Sequence, residues 1–219
     1  MAKNKTSRQW LHDHINDPYV KQAQAQGYRS RAAFKLLQID ERDRLLVQGM
    51  VVVDLGSTPG GWSQVAMSKV GAGGRVVAID LLPMEPVPGV HFVEGDFRDD
   101  EPLAMLVDAL GGRQVGLVLS DMAPNLTGIA VTDQARSVHL LELALEFSRD
   151  HLKSGGDMLV KVFHGSGFDA LRRDMEQLFT SVLVRKPDSS RGRSSEVYLL
   201  CRGRRGEPSA GIEGAACGT

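Results

Sequence analysis

The chain has 219 residues, 42% of them apolar and 24% charged, which suits one soluble domain with a sizeable core. No apolar run approaches the ~18 residues that span a bilayer, and the start MAKNKTSRQWLHDH has no apolar stretch after its lysines to act as a secretory signal; Cys201 and Cys217, the two cysteines, form no CxxC pair, which disfavours a disulfide scaffold or zinc site and favours a reducing, cytoplasmic setting. The net charge of −1 hides an asymmetry, with residues 1–38 and 185–205 each at +5 and 39–184 at −9: the basic ends are either solvated tails or a footprint for a phosphate backbone.

In chain order, residues 1–49 read as a basic helical extension, with helices near 18–26 and 30–46 and Ser30 as a cap for the second. Strand signals follow at 50–54, 75–81, 90–93, 115–120, 157–163, 181–185 and 196–201. Helical stretches lie between them near 61–71, 100–110, 133–153 and 167–179. The third is the clearest: Thr132 or Asp133 can cap it, Val138, Leu141, Leu145 and Leu152 recur at helical spacing, and Gly155-Gly156 stops it. This alternation predicts an α/β fold with a Rossmann-like, seven-stranded, mostly parallel sheet and helices on both faces. The segment KPDSSRGRSS is too short for a crossover helix, so the last two strands should pair antiparallel at or near one edge. One domain is expected over 1–203. The tail from 204, rich in Gly, Ala and Ser, is expected to be disordered.

The turn VVVDLGSTPGGW follows the first strand and opens a helix, which is the ligand crevice of an open α/β sheet. It is no P-loop, because Trp62 rather than Lys follows Gly61. It also breaks the GxGxxG dinucleotide spacing, and Pro59 removes an N–H that a phosphate could have used. Asp54, Asp80, Asp96 and Asp121 fall at or just after four strand ends and would line the same edge. Any one of them could simply cap a turn. Four carboxylates together repel a pyrophosphate and suit a ligand with an ammonium, a sulfonium, ribose hydroxyls and an adenine amine, as in S-adenosylmethionine. Asp80 is placed for the ribose and Asp96 for the adenine amine. Gly56, Gly60 and Gly61, with Asp54 nearby, would admit the amino-acid part. Trp62 would either border the cofactor or cover the helix–sheet joint.

Lys161 in MLVKVF and Glu196 in EVYLLC lie inside strands where apolar residues are expected, and a buried lysine is costly unless paired. Lys35 lies among Phe34, Leu36 and Leu37. With Asp121 they could form a charged cluster at the sheet's mouth, as a structural salt bridge or as a catalytic centre.

Taken in order, SRAAFKL, DLGSTPGGW, SDMAPN, KVF and SSEVYLL are similar to the FtsJ/RrmJ family of ribosomal RNA 2′-O-methyltransferases, over roughly residues 5–202. The resemblance implies a Lys-Asp-Lys-Glu catalytic set at Lys35, Asp121, Lys161 and Glu196. It places cofactor contacts at Gly60, Trp62, Asp80, Asp96 and Asp121, and the substrate at a uridine of large-subunit ribosomal RNA within an assembled particle. Lys161 would take or stabilise the 2′-proton, Lys35 would tune it, Asp121 would orient it, and Glu196 would polarise the hydroxyl or position the lysines. Lys3, Lys5, Arg8, Arg29 and Arg31 on one side, with Arg191 and Arg193 on the other, would meet phosphates in a salt-sensitive, largely sequence-blind way. A monomer needing no metal is expected. A base-nitrogen methyltransferase is disfavoured because Met122-Ala123-Pro124-Asn125 after Asp121 lacks the stacking aromatic. A nicotinamide oxidoreductase is disfavoured by the broken glycine spacing. A non-catalytic RNA-binding or assembly factor would fit the basic ends but has no need of Lys161 and Glu196.

Overall fold

The computed structural model describes residues 16–124, 127–163, 168–190 and 195–206. Lys3, Lys5, Arg8, Arg191, Arg193 and the tail from 207 lie outside them. Seven strands, β1 (Val51–Leu55), β2 (Arg75–Asp80), β3 (Val90–Glu94), β4 (Val115–Ser120), β5 (Leu152–Phe163), β6 (Phe179–Arg185) and β7 (Glu196–Arg204), form one sheet in the order β3-β2-β1-β4-β5-β7-β6. Only β7 runs against its neighbours. It is inserted between β5 and β6 and pairs antiparallel with both, as the short 186–195 connection requires.

The strands alternate between two faces, as their period of two dictates. Val51, Val53 and Leu55 join Val118, Val160 and Val197 on one face, under α4 (Asp100–Leu110), α5 (Ala130–His151) and α6 (Phe168–Leu178). Val52, Leu117, Leu119, Leu159, Tyr198 and Leu200 form the other face, covered by α2 (Ala33–Asp43) and α3 (Gly61–Val70). A short helix, α1 (Pro18–Ala25), precedes α2 and is capped by Asp17, whose side chain accepts from the Tyr19 N–H at 3.0 Å.

Three boundaries differ from the sequence expectations. Helix α2 begins at Ala33 and has Ala32, with no side-chain bond, at its N-cap; the Ser30 carbonyl, not its hydroxyl, meets the Ala33 N–H at 3.2 Å. Helix α5 begins at Ala130 because Asp133 reaches back: its carboxylate accepts from the Thr127 N–H and hydroxyl, each at 2.7 Å, and from the Gly128 N–H at 3.0 Å. The same helix ends at His151, and β5 starts at Leu152 with a register shift opposite Val115 and Leu117 that absorbs the glycine pair.

The β4 strand is buried along its whole length, with Leu117, Val118 and Leu119 all at 0% exposure. Leu119→Ala should lower the unfolding free energy in urea by about 2–5 kcal/mol; a loss below about 1 kcal/mol would show that this face collapses to fill the cavity.

Candidate active site

The site is assembled at the carboxyl ends of the parallel strands, where β1 and β4 lie side by side. The chain leaves β1 towards β2 and β3 on one side and returns at β4 on the other. Strand order reverses there, and open α/β sheets bind ligands in the crevice so formed.

The turn from β1 to α3 is closed upon itself. The N–H groups of Gly56 and Ser57 donate to the Ile79 carbonyl at 2.9 and 3.2 Å, and that of Gly60 donates to the Ser57 carbonyl at 2.7 Å. The Thr58 N–H donates to Asp80 Oδ2 at 2.8 Å, and Pro59, on a cis bond from Thr58, has no N–H to give. Residues 56–60 therefore leave no main-chain donor for a phosphate, which is the feature on which nucleotide phosphate loops depend. Gly56 is favoured by its φ of +73°, and a Cβ there would also clash with the Met122 side chain on the segment leaving β4. Gly61, the first residue of α3, packs against the Ser30 hydroxyl in the same way.

Under this turn lies Asp54, 1% exposed. Its Oδ2 accepts from the Ser63 hydroxyl at 2.6 Å, and its Oδ1 has no protein partner. Burial pushes its carboxyl up to about 7; the charges of Asp121 and Asp80 add to this, and the Ser63 hydrogen bond opposes it. A buried oxygen without a partner is costly, and a cationic ligand lying on the turn would offset that cost. Asp80, at the end of β2, accepts from Thr58 and from the Leu82 N–H at 2.9 Å, which aligns its carboxylate with the crevice rim. Asp96 is engaged by Arg98, whose Nε lies 2.9 Å from both of its oxygens; those hydrogen bonds hold its carboxyl well below the usual range. An adenine amine would meet only the lone pairs that Arg98 leaves on Asp96.

Deeper in the crevice, the four residues singled out in the sequence meet as two ion pairs. Lys35 Nζ lies 2.6 Å from Glu196 Oε1. Lys161 Nζ lies 3.1 Å from Asp121 Oδ1 and also donates to the Asp121 carbonyl. Their side chains are 11%, 13%, 7% and 19% exposed in that order, so deleting either member of a pair would strand a largely desolvated charge.

Tyr198 joins the pairs, and sequence reasoning missed it. Its hydroxyl donates to Asp121 Oδ1 at 2.8 Å, and the Lys35 ammonium stands 5.6 Å from its ring centroid. Strand register places it opposite Lys161. The available signal was parity: Tyr198 is two residues from Glu196, hence on the same face, and a buried tyrosine hydroxyl needs a partner. Ser190 was also missed; its hydroxyl donates to Glu196 Oε1 at 2.9 Å.

Trp62 packs over the joint between α3 and the sheet. The side chain is 3% exposed, its ring lies 5.6 Å from that of Tyr198, and its indole N–H donates to the Ala32 carbonyl at 2.8 Å. The two described arginines of the expected RNA footprint have intramolecular partners. Arg31 pairs with Asp17, donates to the Ser189 carbonyl and stands 5.8 Å over the Tyr19 ring. Arg29 donates to the carbonyls of Pro59, Glu85 and Pro86. Among the described residues, no group of three or more His, Cys, Asp or Glu could hold a metal, and no helix is long and apolar enough to cross a membrane.

A family model described as FtsJ-like methyltransferase matches residues 28–204. The chain is 62% identical over 200 residues to the ribosomal RNA large subunit methyltransferase E of Azoarcus sp. (strain BH72), covering 91% of this chain and 98% of that protein. It is 58% identical over 202 residues to the protein of the same name in Dechloromonas aromatica (strain RCB), covering 92% and 98%. The crystal structure of a ribosomal RNA methyltransferase from Plasmodium falciparum superposes with a TM-score of 0.72 at 29% identity, covering 82% of this chain and all of that one.

Between pH 3.8 and about 7 the folded state keeps a proton on Asp54 that the unfolded chain has released, so native stability falls as pH rises through that interval. Asp54→Asn keeps an acceptor for Ser63 and does not titrate. Its unfolding free energy relative to wild type should rise by roughly 2–4 kcal/mol from the bottom of the interval to the top. Parallel stability–pH curves for the two proteins would refute this assignment.

Proposed function

The chain belongs to the FtsJ-like methyltransferase family, and from that membership we propose that it transfers a methyl group from S-adenosylmethionine to the ribose 2′-hydroxyl of a uridine in large-subunit (23S) ribosomal RNA, on the assembled subunit in the cytoplasm. The names of its relatives support the ribosomal RNA substrate. The observation that carries the chemistry is the meeting of two largely buried lysine–carboxylate pairs around Tyr198, beside a turn whose N–H groups over 56–60 are all engaged.

Bound S-adenosylmethionine would supply the sulfonium methyl group. Asp54, beneath Gly56, Gly60 and Gly61, would face its amino-acid end, Asp80 its ribose hydroxyls and Asp96 its adenine amine. The carboxylate edge would match its positive charge. The protein's own work is on the 2′-hydroxyl, a weak acid whose oxygen must become nucleophilic. Lys161 would take the 2′-proton at Nζ or, as an ammonium, stabilise the developing alkoxide. Asp121 would orient it through both its carboxylate and its carbonyl. Glu196 would fix Lys35, which would tune Lys161 by adding a second positive charge to the site. Holding hydroxyl and methyl donor in line would provide much of the remaining acceleration.

The RNA would lie across the basic ends of the chain. Arg29 and Arg31, already bound within the protein, would add charge to that surface rather than a free fork for one phosphate. Lys3, Lys5, Arg8, Arg191 and Arg193 would supply further contacts, with the steep salt dependence of phosphate binding.

Tritium transfer from labelled S-adenosylmethionine to large ribosomal subunits, with nuclease mapping of the product, should place the label on a ribose. Label on a base, or none, would overturn the proposal. Lys161→Ala should lower the single-turnover rate by about 10²–10⁴-fold while cofactor and subunit still bind. A full rate in that variant would remove Lys161 from the mechanism.

A further inference from the structure

Arg29 lies in the connection between α1 and α2, and its guanidinium gathers main-chain carbonyls from two distant loops. Nη1 donates to Pro59 at 3.2 Å and to Glu85, and Nη2 donates to Pro86 at 2.6 Å. Pro59 belongs to the glycine turn, and Glu85 and Pro86 to the loop that follows Asp80. The contact is close: a Cβ on Gly60, at φ +104°, would sit 3.1 Å from Arg29 Nη1, 3.1 Å from Val87 Cγ2 and 2.9 Å from Met84 Sδ. The residue's own backbone is fastened separately, because the Arg29 N–H donates to Gln64 Oε1 at 2.9 Å and Gln64 Nε2 donates to the Gly27 carbonyl at 3.0 Å.

The two loops are the walls of the proposed cofactor crevice, and both converge on Asp80. Thr58 of the turn donates to one oxygen of its carboxylate, Leu82 of the following loop donates to the other, and the Thr58 hydroxyl donates to the Leu82 carbonyl at 3.0 Å. Without Arg29, the three carbonyls, which solvent reaches, would turn to water, and water would not tie the two loops to one another. A planar fork with several N–H groups satisfies all three at once, which a lysine ammonium on a flexible stem does not reproduce.

We infer that Arg29 is a positioning residue for S-adenosylmethionine: by bridging the carbonyls of Pro59, Glu85 and Pro86 it fixes the spacing between the glycine turn and the loop after Asp80. The inference rests on the cofactor assigned above. It gives Arg29 a task distinct from a phosphate contact, which needs only its charge.

Calorimetric titration with S-adenosylhomocysteine should separate the two roles, using wild type, Arg29→Lys and Arg29→Gln at a temperature where thermal melts show each to be folded. Both variants should bind about ten-fold or more weakly. KM for S-adenosylmethionine should rise in parallel while the single-turnover rate, with both cofactor and ribosomal subunits saturating so that weaker RNA binding does not enter, is kept. Wild-type affinity in Arg29→Lys would overturn the inference, and so would a fall in kcat with KM unchanged. A wild-type chain that binds no S-adenosylhomocysteine would overturn the cofactor assignment itself, a failure visible without any variant. Hydrogen exchange on the wild type covers the case in which both variants unfold. Amides of 56–60 and 81–89 should gain protection together when S-adenosylhomocysteine binds, and protection confined to one loop would refute the clamp.

Discussion

A lysine ammonium removed from water must keep an anion beside it, or its burial costs several kcal/mol. The candidate site follows from meeting that requirement twice within a few ångströms of one tyrosine. Lys161 stands in β5 between Val160 and Val162, with 7% of its side chain exposed. Its charge is met by the carboxylate and carbonyl of Asp121, the first residue beyond β4. Asp121 is held by the Tyr198 hydroxyl, and the Tyr198 ring faces the second ammonium, that of Lys35. Lys35 is paired with Glu196, which the Ser190 hydroxyl steadies. Each group sits where it does because its neighbour cannot be buried without it, and a site held this way loses little energy to reorganisation when a reaction places new charge in it.

Much of this was legible in the sequence, because a period of two turns residue number into direction. Val52 and Leu119 lie on the α2 and α3 face, so Asp54 and Asp121, two residues further along their segments, project to the same side. Leu159 with Lys161, and Leu200 with Tyr198 and Glu196, obey the same parity. Lys35 stood out as a cation among apolar neighbours in a helix. The alternation of strands and helices gave the sheet, and the short 186–195 link gave the antiparallel β7.

What the sequence concealed depends on partners far along the chain. Arg29 and Arg31 read as phosphate contacts, but the sequence does not show that their guanidinium groups also have protein acceptors, at Asp17 and in loops 30 to 158 residues away. The contacts of Trp62 with the Ala32 carbonyl and the Tyr198 ring likewise join residues distant in sequence. The early start of α5 was hidden because Asp133 acts on the loop before the helix rather than at the cap position itself. Periodicity reports the face on which a side chain lies; it does not report which group across that face will meet it.

Those concealed contacts also tie the two halves of the site together. Helix α3 begins at the glycine turn, and two of its residues hold the segment that leads to Lys35: Trp62 through the Ala32 carbonyl, and Gln64 through Gly27 and Arg29. Arg29 then reaches across to the loop beyond Asp80. The turn proposed to hold the methyl donor and the helix that carries Lys35 are thus fastened to one another, and not only to the sheet beneath them. In-line transfer tolerates little misalignment: a displacement of about 1 Å can cost a hundred-fold in rate. Had the sheet alone held each half, the errors of two separate attachments would add in the distance between methyl carbon and 2′-oxygen. With α3 and the 27–32 segment bonded directly, a shift in one half carries the other with it, so those two errors partly cancel instead of adding.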